Sequence, residues 1–305
     1  MKIFEAIRNR RLIFIFLVVD VLVGLALLTA WRLGFFKSPG PSEFDGELAY
    51  QHVLAQMDFG PRITGSDANL ATGAYIADQL NALDWRTEFQ DFVYQDTPAR
   101  NLIARANEGQ GPIIILGAHY DSRRRADRDP EHPDQPVPGA NDGASGVAVL
   151  LELARSLDHD KVPHEIWLAF FDAEDNGGLD GWDWIAGSTY MAEHLTVQPE
   201  AMLLVDMIGD ADQQIYFDLN SDPELSARVW AVAAQLGYGD YFLPLPRYAM
   251  LDDHTPFRQR GIPAIDIIDF DYPYWHTTAD TADKVSPESL ERVGRTIETF
   301  LEALE

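Results

Sequence analysis

Apolar residues form an almost unbroken run from about Leu12 to Trp31 and then settle into alternating helical and extended rhythms. Phe44 to Met57 and Asn69 to Leu83 carry apolar residues at helical spacing, and Thr87 to Tyr94 and Asn101 to Ala106 read as extended. Pro112-Ile113-Ile114-Ile115-Leu116-Gly117 is a short continuous apolar run, the pattern of a strand buried on both faces. A loop from Arg123 to Pro138, rich in Arg, Asp and Pro, separates it from a helix over Gly146 to Leu157. His164 to Phe171 and Ala201 to Met207 repeat the buried-strand pattern. Gln214 to Leu219, a helix near Pro223 to Leu236, a strand over Ala264 to Ile268 and a helix over Pro287 to Leu304 follow. The alternation predicts one three-layer α/β/α domain over 44–305, with a largely parallel, mixed central sheet.

The first apolar run is long enough to cross a bilayer, which takes roughly 20 residues. Arg8, Arg10 and Arg11 precede it, so the positive-inside rule predicts a cytoplasmic stub (1–11), a membrane-spanning signal anchor (12–33) and an extracytoplasmic domain. Asp20 interrupts the run at a cost of about 2.5 kcal/mol or more, which its Leu, Val, Ile and Phe neighbours offset. A cleaved signal peptide would need a small-residue cleavage site, and none follows Leu28. Ser38-Pro39-Gly40-Pro41-Ser42 reads as the core of a linker over 34–43.

Charge narrows the partners. The 305 residues carry 49 acidic and 23 basic side chains, a net charge of −26, which argues against a nucleic-acid backbone or an anionic lipid surface as ligand. With no cysteine, disulfides, thiolate metal sites and a cysteine nucleophile are excluded. A metal would have to be held by His, Asp or Glu.

Residues able to do chemistry collect just after the predicted strands, where open α/β sheets place their ligands. His119 and Asp121 follow one strand; Asp142 lies in the glycine-rich turn Gly139-Ala140-Asn141-Asp142-Gly143 that enters a helix. Asp172, Glu174 and Asp175 follow the next strand, and Asp206 the one after. Asp252-Asp253-His254 and Tyr274-Trp275-His276-Thr277 lie near the end. Carboxylates converging on one sheet edge repel one another and are costly to desolvate, and a divalent cation resolves the conflict. Imidazoles among carboxylates suit zinc; an all-oxygen set would suit magnesium or calcium. A carboxylate beside the metal that does not bind it can shuttle protons. His132, His159, His164 and His194 lack this context and read as surface or packed residues.

From Phe59 to Leu304 these motifs, opened by Gly60-Pro61-Arg62-Ile63-Thr64-Gly65-Ser66, resemble the M28 peptidase clan, which contains di-zinc aminopeptidases and the glutaminyl-peptide cyclotransferases. The resemblance implies a zinc-dependent enzyme, with one or two zinc ions, acting on peptide N-termini. It puts His119, Asp142, Asp175, Asp206 and His276 on the di-zinc positions, Asp142 bridging. In the cyclotransferases a single zinc falls on the positions of Asp142, Asp175 and His276. Glu174 matches the catalytic carboxylate of both, with Asp206 and Asp253 joining its hydrogen-bond network in the cyclotransferases. The usual Glu-Glu pair is Glu174-Asp175 here, one methylene shorter on the ligand.

Trp275 before His276, and Trp182 and Trp184 at about the distance of a pocket-lining tryptophan, favour the cyclotransferase branch, with Trp182 and Trp275 as substrate contacts. The second expectation is a di-zinc aminopeptidase. The third is a non-catalytic binding ectodomain, which would predict lost ligands, whereas every position is filled.

Overall fold

The computed structural model describes residues 43–305, so the expected stub, the anchor at 12–33 and nearly all of the linker lie outside the described residues. Among the described residues no helix is long and apolar enough to cross a membrane. The elements in chain order are α1 (Gly46–Asp58), α2 (Asp67–Ala82), β1 (Arg86–Tyr94), β2 (Thr97–Ala106), β3 (Ile113–His119), α3 (Ala144–Ser156), β4 (Glu165–Phe171), α4 (Ala186–His194) and β5 (Ala201–Asp206). After them come β6 (Ile215–Asp218), α5 (Pro223–Gln235), β7 (Phe242–Tyr248), α6 (Thr255–Gln259), β8 (Ala264–Ile268), a 3-10 turn (Ala282–Lys284) and α7 (Pro287–Glu302).

Local chemistry sets the helix starts. The side chains of Asp45, Ser66, Asp222 and Ser286 accept from free amides in the first turns of α1, α2, α5 and α7. Proline, which lacks an amide to leave unpaired, opens α5, α6 and α7.

Six strands form a mixed sheet in the order β1-β2-β4-β3-β5-β8. The pairs β3–β4, β3–β5 and β5–β8 are parallel, while β1 and β2 add an antiparallel edge. Alternate strand residues feed two cores. Leu102, Ile114, Leu116, Leu168, Leu203 and Ile265 pack under α1, α2, α3, α5 and α7 on one face. Ile115, Trp167, Phe171, Met202 and Leu204 pack with Met191 of α4 and Phe257 of α6 on the other. Helix α3 is buried almost all round, and its one acid, Glu152, is paired with Arg155 and the amide of Asp45.

Besides the short 3-10 turn, two helices and one strand went unpredicted. Helix α4 is short and carries Gly187, Ser188 and Thr189, so its apolar periodicity is faint. β7 contains Pro244 and Pro246, which argue against a strand from sequence; it pairs only with β6, in a separate two-stranded sheet. Helix α6 spans barely one turn.

The connectivity creates a crevice. From β3 the chain passes through α3 to β4 on one side, then through α4, on the opposite face, to β5 on the other side of β3. Helices leaving on opposite faces part at the carboxyl end of β3, the switch point where such sheets bind ligands.

Candidate active site

The chemistry-bearing residues meet at that switch point. His119 ends β3 and Asp206 ends β5, and the parallel register that pairs Gly117 with Leu204 brings the two ends level. His119 Nε2 lies 3.1 Å from Asp206 Oδ1 and 3.2 Å from Asp142 Oδ1. His276 Nε2 lies 3.0 Å from Asp175 Oδ1 and 3.8 Å from Asp142 Oδ2. Two buried triads result, His119–Asp142–Asp206 and Asp142–Asp175–His276, sharing Asp142.

Each ligand-type residue is held by its own scaffold. Gly139 and Gly143 adopt positive φ on either side of Asp142, and a Cβ at Gly143 would stand 2.8 Å from the Asp121 carbonyl oxygen. The amides of Asn141 and Asp142 donate to the carboxylate of Asp280. Arg62, fully buried, donates to the carbonyls of Tyr120, Pro138 and Gly139 and fastens the same turn. Asp121 is a scaffold residue: its carboxylate accepts from the amides of Glu174 and Asp175 at 3.1 and 3.3 Å. Ala173, Met207 and His276, each within or beside the site, have positive φ. Non-glycine residues pay for that conformation, and strain of this kind concentrates at functional sites.

Electrostatics make the cluster demanding. Burial drives the Glu174 carboxyl well above the usual range, with the charges of Asp175, Asp253 and Asp252 adding to the rise. Burial and Asp142 push Asp175 up to about 6. Asp206 and Asp252 are raised, burial first. Asp142 goes the other way: burial would raise it, but the hydrogen bond and charge of His119 outweigh burial. Among the buried atoms left without a hydrogen bond are Asp142 Oδ2, Asp175 Oδ2 and His276 Nε2, one from each member of the second triad. Unpaired carboxylate oxygens facing an imidazole nitrogen are a donor set that fits a divalent cation. In the first triad His119 Nε2 is hydrogen-bonded to Asp206, and its Nδ1 has no hydrogen-bond partner.

A cleft enclosing about 570 Å³, mouth included, opens onto this centre. Glu174, Asp175 and Asp252 form its polar side, and Trp184, Ile268, Phe270 and Trp275 its apolar walls. The Trp184 ring stacks on His276 (centroids 5.8 Å apart, planes within 12°), and Trp275 meets Phe270 edge-on.

Of the expected residues, Trp182 and Asp253 do not line the cleft. Trp182 packs with Phe92, Ala99, Ala173 and Ala186 and does not line the cleft; Trp184 does. Asp253 is fully buried, its charge helping to raise the Glu174 carboxyl, and the preceding Asp252 lines the cleft. A pair of adjacent aspartates gives no sequence sign of which one points inward. Arg62 and Asp280 hold the Asp142 turn through main-chain contacts that leave no pattern in sequence.

Comparison with known proteins agrees with this geometry. The model of peptidase family M28 matches residues 101–301. The glutaminyl-peptide cyclotransferase-like protein of Mus musculus is 28% identical over 79% of this chain and 71% of its own length. Two solved structures from Bacteroides thetaiotaomicron superpose closely, each 32% identical. A leucine aminopeptidase precursor (TM-score 0.82) covers 88% of this chain and all of its own, and a glutaminyl cyclase bound to N-acetylhistamine (TM-score 0.81) covers 87% and 99%.

Proposed function

The chain belongs to peptidase family M28 and is an enzyme of that family, and from that premise we propose that it cyclises N-terminal glutamine of peptides to pyroglutamate, releasing ammonia. The carrying observation is the second triad, in which Asp142 Oδ2, Asp175 Oδ2 and His276 Nε2 each lack a hydrogen bond, whereas in the first His119 Nε2 bonds Asp206 and only Nδ1, on the far side of its ring, is without a hydrogen-bond partner. That pattern suits one zinc ion, held by Asp142, Asp175 and His276, beside an aromatic-walled cleft with room for an N-terminal side chain. When bound there, zinc supplies Lewis acidity toward the side-chain amide carbonyl.

The protein's own groups do the remainder. Trp184, Phe270 and Trp275 exclude water and hold the glutamine side chain so that its Cδ meets its own α-amine. The α-nitrogen bonds to Cδ, and the Cδ–amide nitrogen bond breaks. Glu174, its carboxyl raised by burial, takes the proton shed by the α-amine and delivers it to the departing ammonia. Asp252, on the polar side of the cleft, faces the same space. A second groove shares Trp184 and Leu251 with the cleft and offers the rest of the peptide a way out.

A di-zinc aminopeptidase is the second reading, favoured by the presence of both triads around Asp142. We also propose that the 12–33 segment anchors the domain outside the membrane; full-length protein released from membranes by alkaline carbonate would overturn this.

Glu174→Gln tests the mechanism. Zinc content should stay as in the parent while kcat falls by about 10²–10⁴-fold, the usual worth of a general acid–base. Loss of zinc would mean that Glu174 and Asp175 have exchanged roles.

A further inference from the structure

Arg123 opens the loop over 123–138, and it is only 3% exposed despite its charge. Its Nη1 donates to the carbonyl of Asp175 at 2.8 Å, and both Nη atoms reach the carbonyl of Gly177 at 3.3 Å. On its other side, Nε and Nη2 grip the two carboxylate oxygens of Asp127 at 2.7 and 3.0 Å. The guanidinium lies 4.8 Å from the centre of the Trp184 ring. One buried cation therefore touches the main chain of a triad member, a wall of the cleft and a carboxylate.

That carboxylate faces a second triad member, His276. Asp127 Oδ1 stands 3.6 Å from His276 Nδ1, across the ring from the Nε2 that faces Asp175 and Asp142. The amide of Arg128 donates to the His276 carbonyl, tying the same loop to the strained His276 backbone. An imidazole that ligates a metal through Nε2 must carry its proton on Nδ1, and a carboxylate opposite Nδ1 favours that tautomer. At 3.6 Å the contact is electrostatic and too long for a hydrogen bond, but the negative charge still selects the Nδ1–H form.

We propose that Asp127 is the outer carboxylate of the metal centre, fixing the tautomer of His276, and that Arg123 is the positioning residue that sets Asp127, Asp175 and Trp184 relative to one another. The proposal rests on the reading of Asp142, Asp175 and His276 as zinc ligands. A bidentate arginine–carboxylate pair fixes the plane of the carboxylate, which a single lysine contact would not do.

The test uses the domain as part of the full chain and reads zinc affinity by competition with a chromogenic chelator. Asp127→Asn keeps the shape and removes the charge, and it should weaken zinc binding about 10- to 100-fold. Asp127→Glu should restore part of that loss. A nitrogen NMR spectrum of the metal-free protein, above the pH at which His276 takes up a second proton, should show the Nδ1–H form favoured in the parent and that preference lost in Asp127→Asn. A merely structural role would lower the melting temperature without moving either readout. Should Asp127→Asn fail to fold, Arg123→Lys, which keeps the charge and loses the fork, should weaken zinc binding in the same direction. Parent-like zinc affinity, within twofold, in a folded variant overturns the proposal. Failure of the parent itself to bind zinc overturns the underlying reading, and the proposal with it.

Discussion

Arg62 is the residue whose removal the structure costs most directly. It is fully buried and donates to three main-chain carbonyls, those of Tyr120 (2.9 Å), Pro138 (2.9 Å) and Gly139 (2.5 Å), with Asp142 O farther off at 3.5 Å. Burial pushes the guanidinium's pKa down, and the charges of Asp280, Asp121, Asp142 and Asp175 oppose that fall. Arg62→Met would fill most of the volume but leave the Tyr120 and Pro138 carbonyls unpaired, each at about 1–3 kcal/mol, while the Gly139 carbonyl keeps the amide of Ala144. The Pro138 and Gly139 carbonyls belong to a loop able to turn partly toward water. The expected loss lies within that sum of about 2–6 kcal/mol, at about 3–5 kcal/mol, in line with removing one partner of a buried charged network. At roughly 2–4 °C per kcal/mol for a domain of this size, the melting temperature should fall by roughly 6–20 °C. Circular dichroism melts of the metal-free protein at pH 7 would measure it, with Arg62→Lys falling between parent and Arg62→Met. A shift under about 3 °C for Arg62→Met would mean the carbonyls find other donors, and the account of how the Asp142 turn is held would be wrong.

Other outcomes follow from the same geometry. A Cβ at Gly177 would stand 2.0 Å from the Trp184 ring, so Gly177→Ala should displace that ring and raise KM for a glutamine peptide by about two- to tenfold, the worth of an aromatic contact; an unchanged KM would remove Trp184 from the substrate site. Burial pushes the Asp269 carboxyl up to about 7, against about 4 in an unfolded chain. Between those values the folded protein holds a proton the unfolded chain has shed, so this group's contribution to stability is lost as pH rises from about 4 to 7. Asp269→Asn should flatten that part of the pH dependence of melting in the metal-free protein, and a slope identical to the parent's would show that the carboxyl titrates normally.

The sheet was legible where sequence patterns are strong. The Ile113–Leu116 run, the apolar residues before Phe171 and those before Asp206 can be buried only as inner strands, and the strand over Ala264–Ile268 was placed to the residue. The polar residues that end those strands announced the site for the same reason. What stayed hidden depends on side-chain direction and main-chain contacts. Trp182 and Trp184 are two residues apart, yet one is packed under Arg124 and the other stacks on His276. Asp252 and Asp253 differ only in which way the turn before α6 aims them. Arg123 in a charged loop reads as solvated, and only the fold reveals that it is buried against the Asp175 carbonyl.

The most direct measurement is mass spectrometry of two peptides, one beginning with Gln and one with Leu, after incubation with the zinc-loaded protein. The account predicts loss of ammonia from the Gln peptide and an untouched Leu peptide. Removal of the first residue from either peptide would contradict it and identify an aminopeptidase.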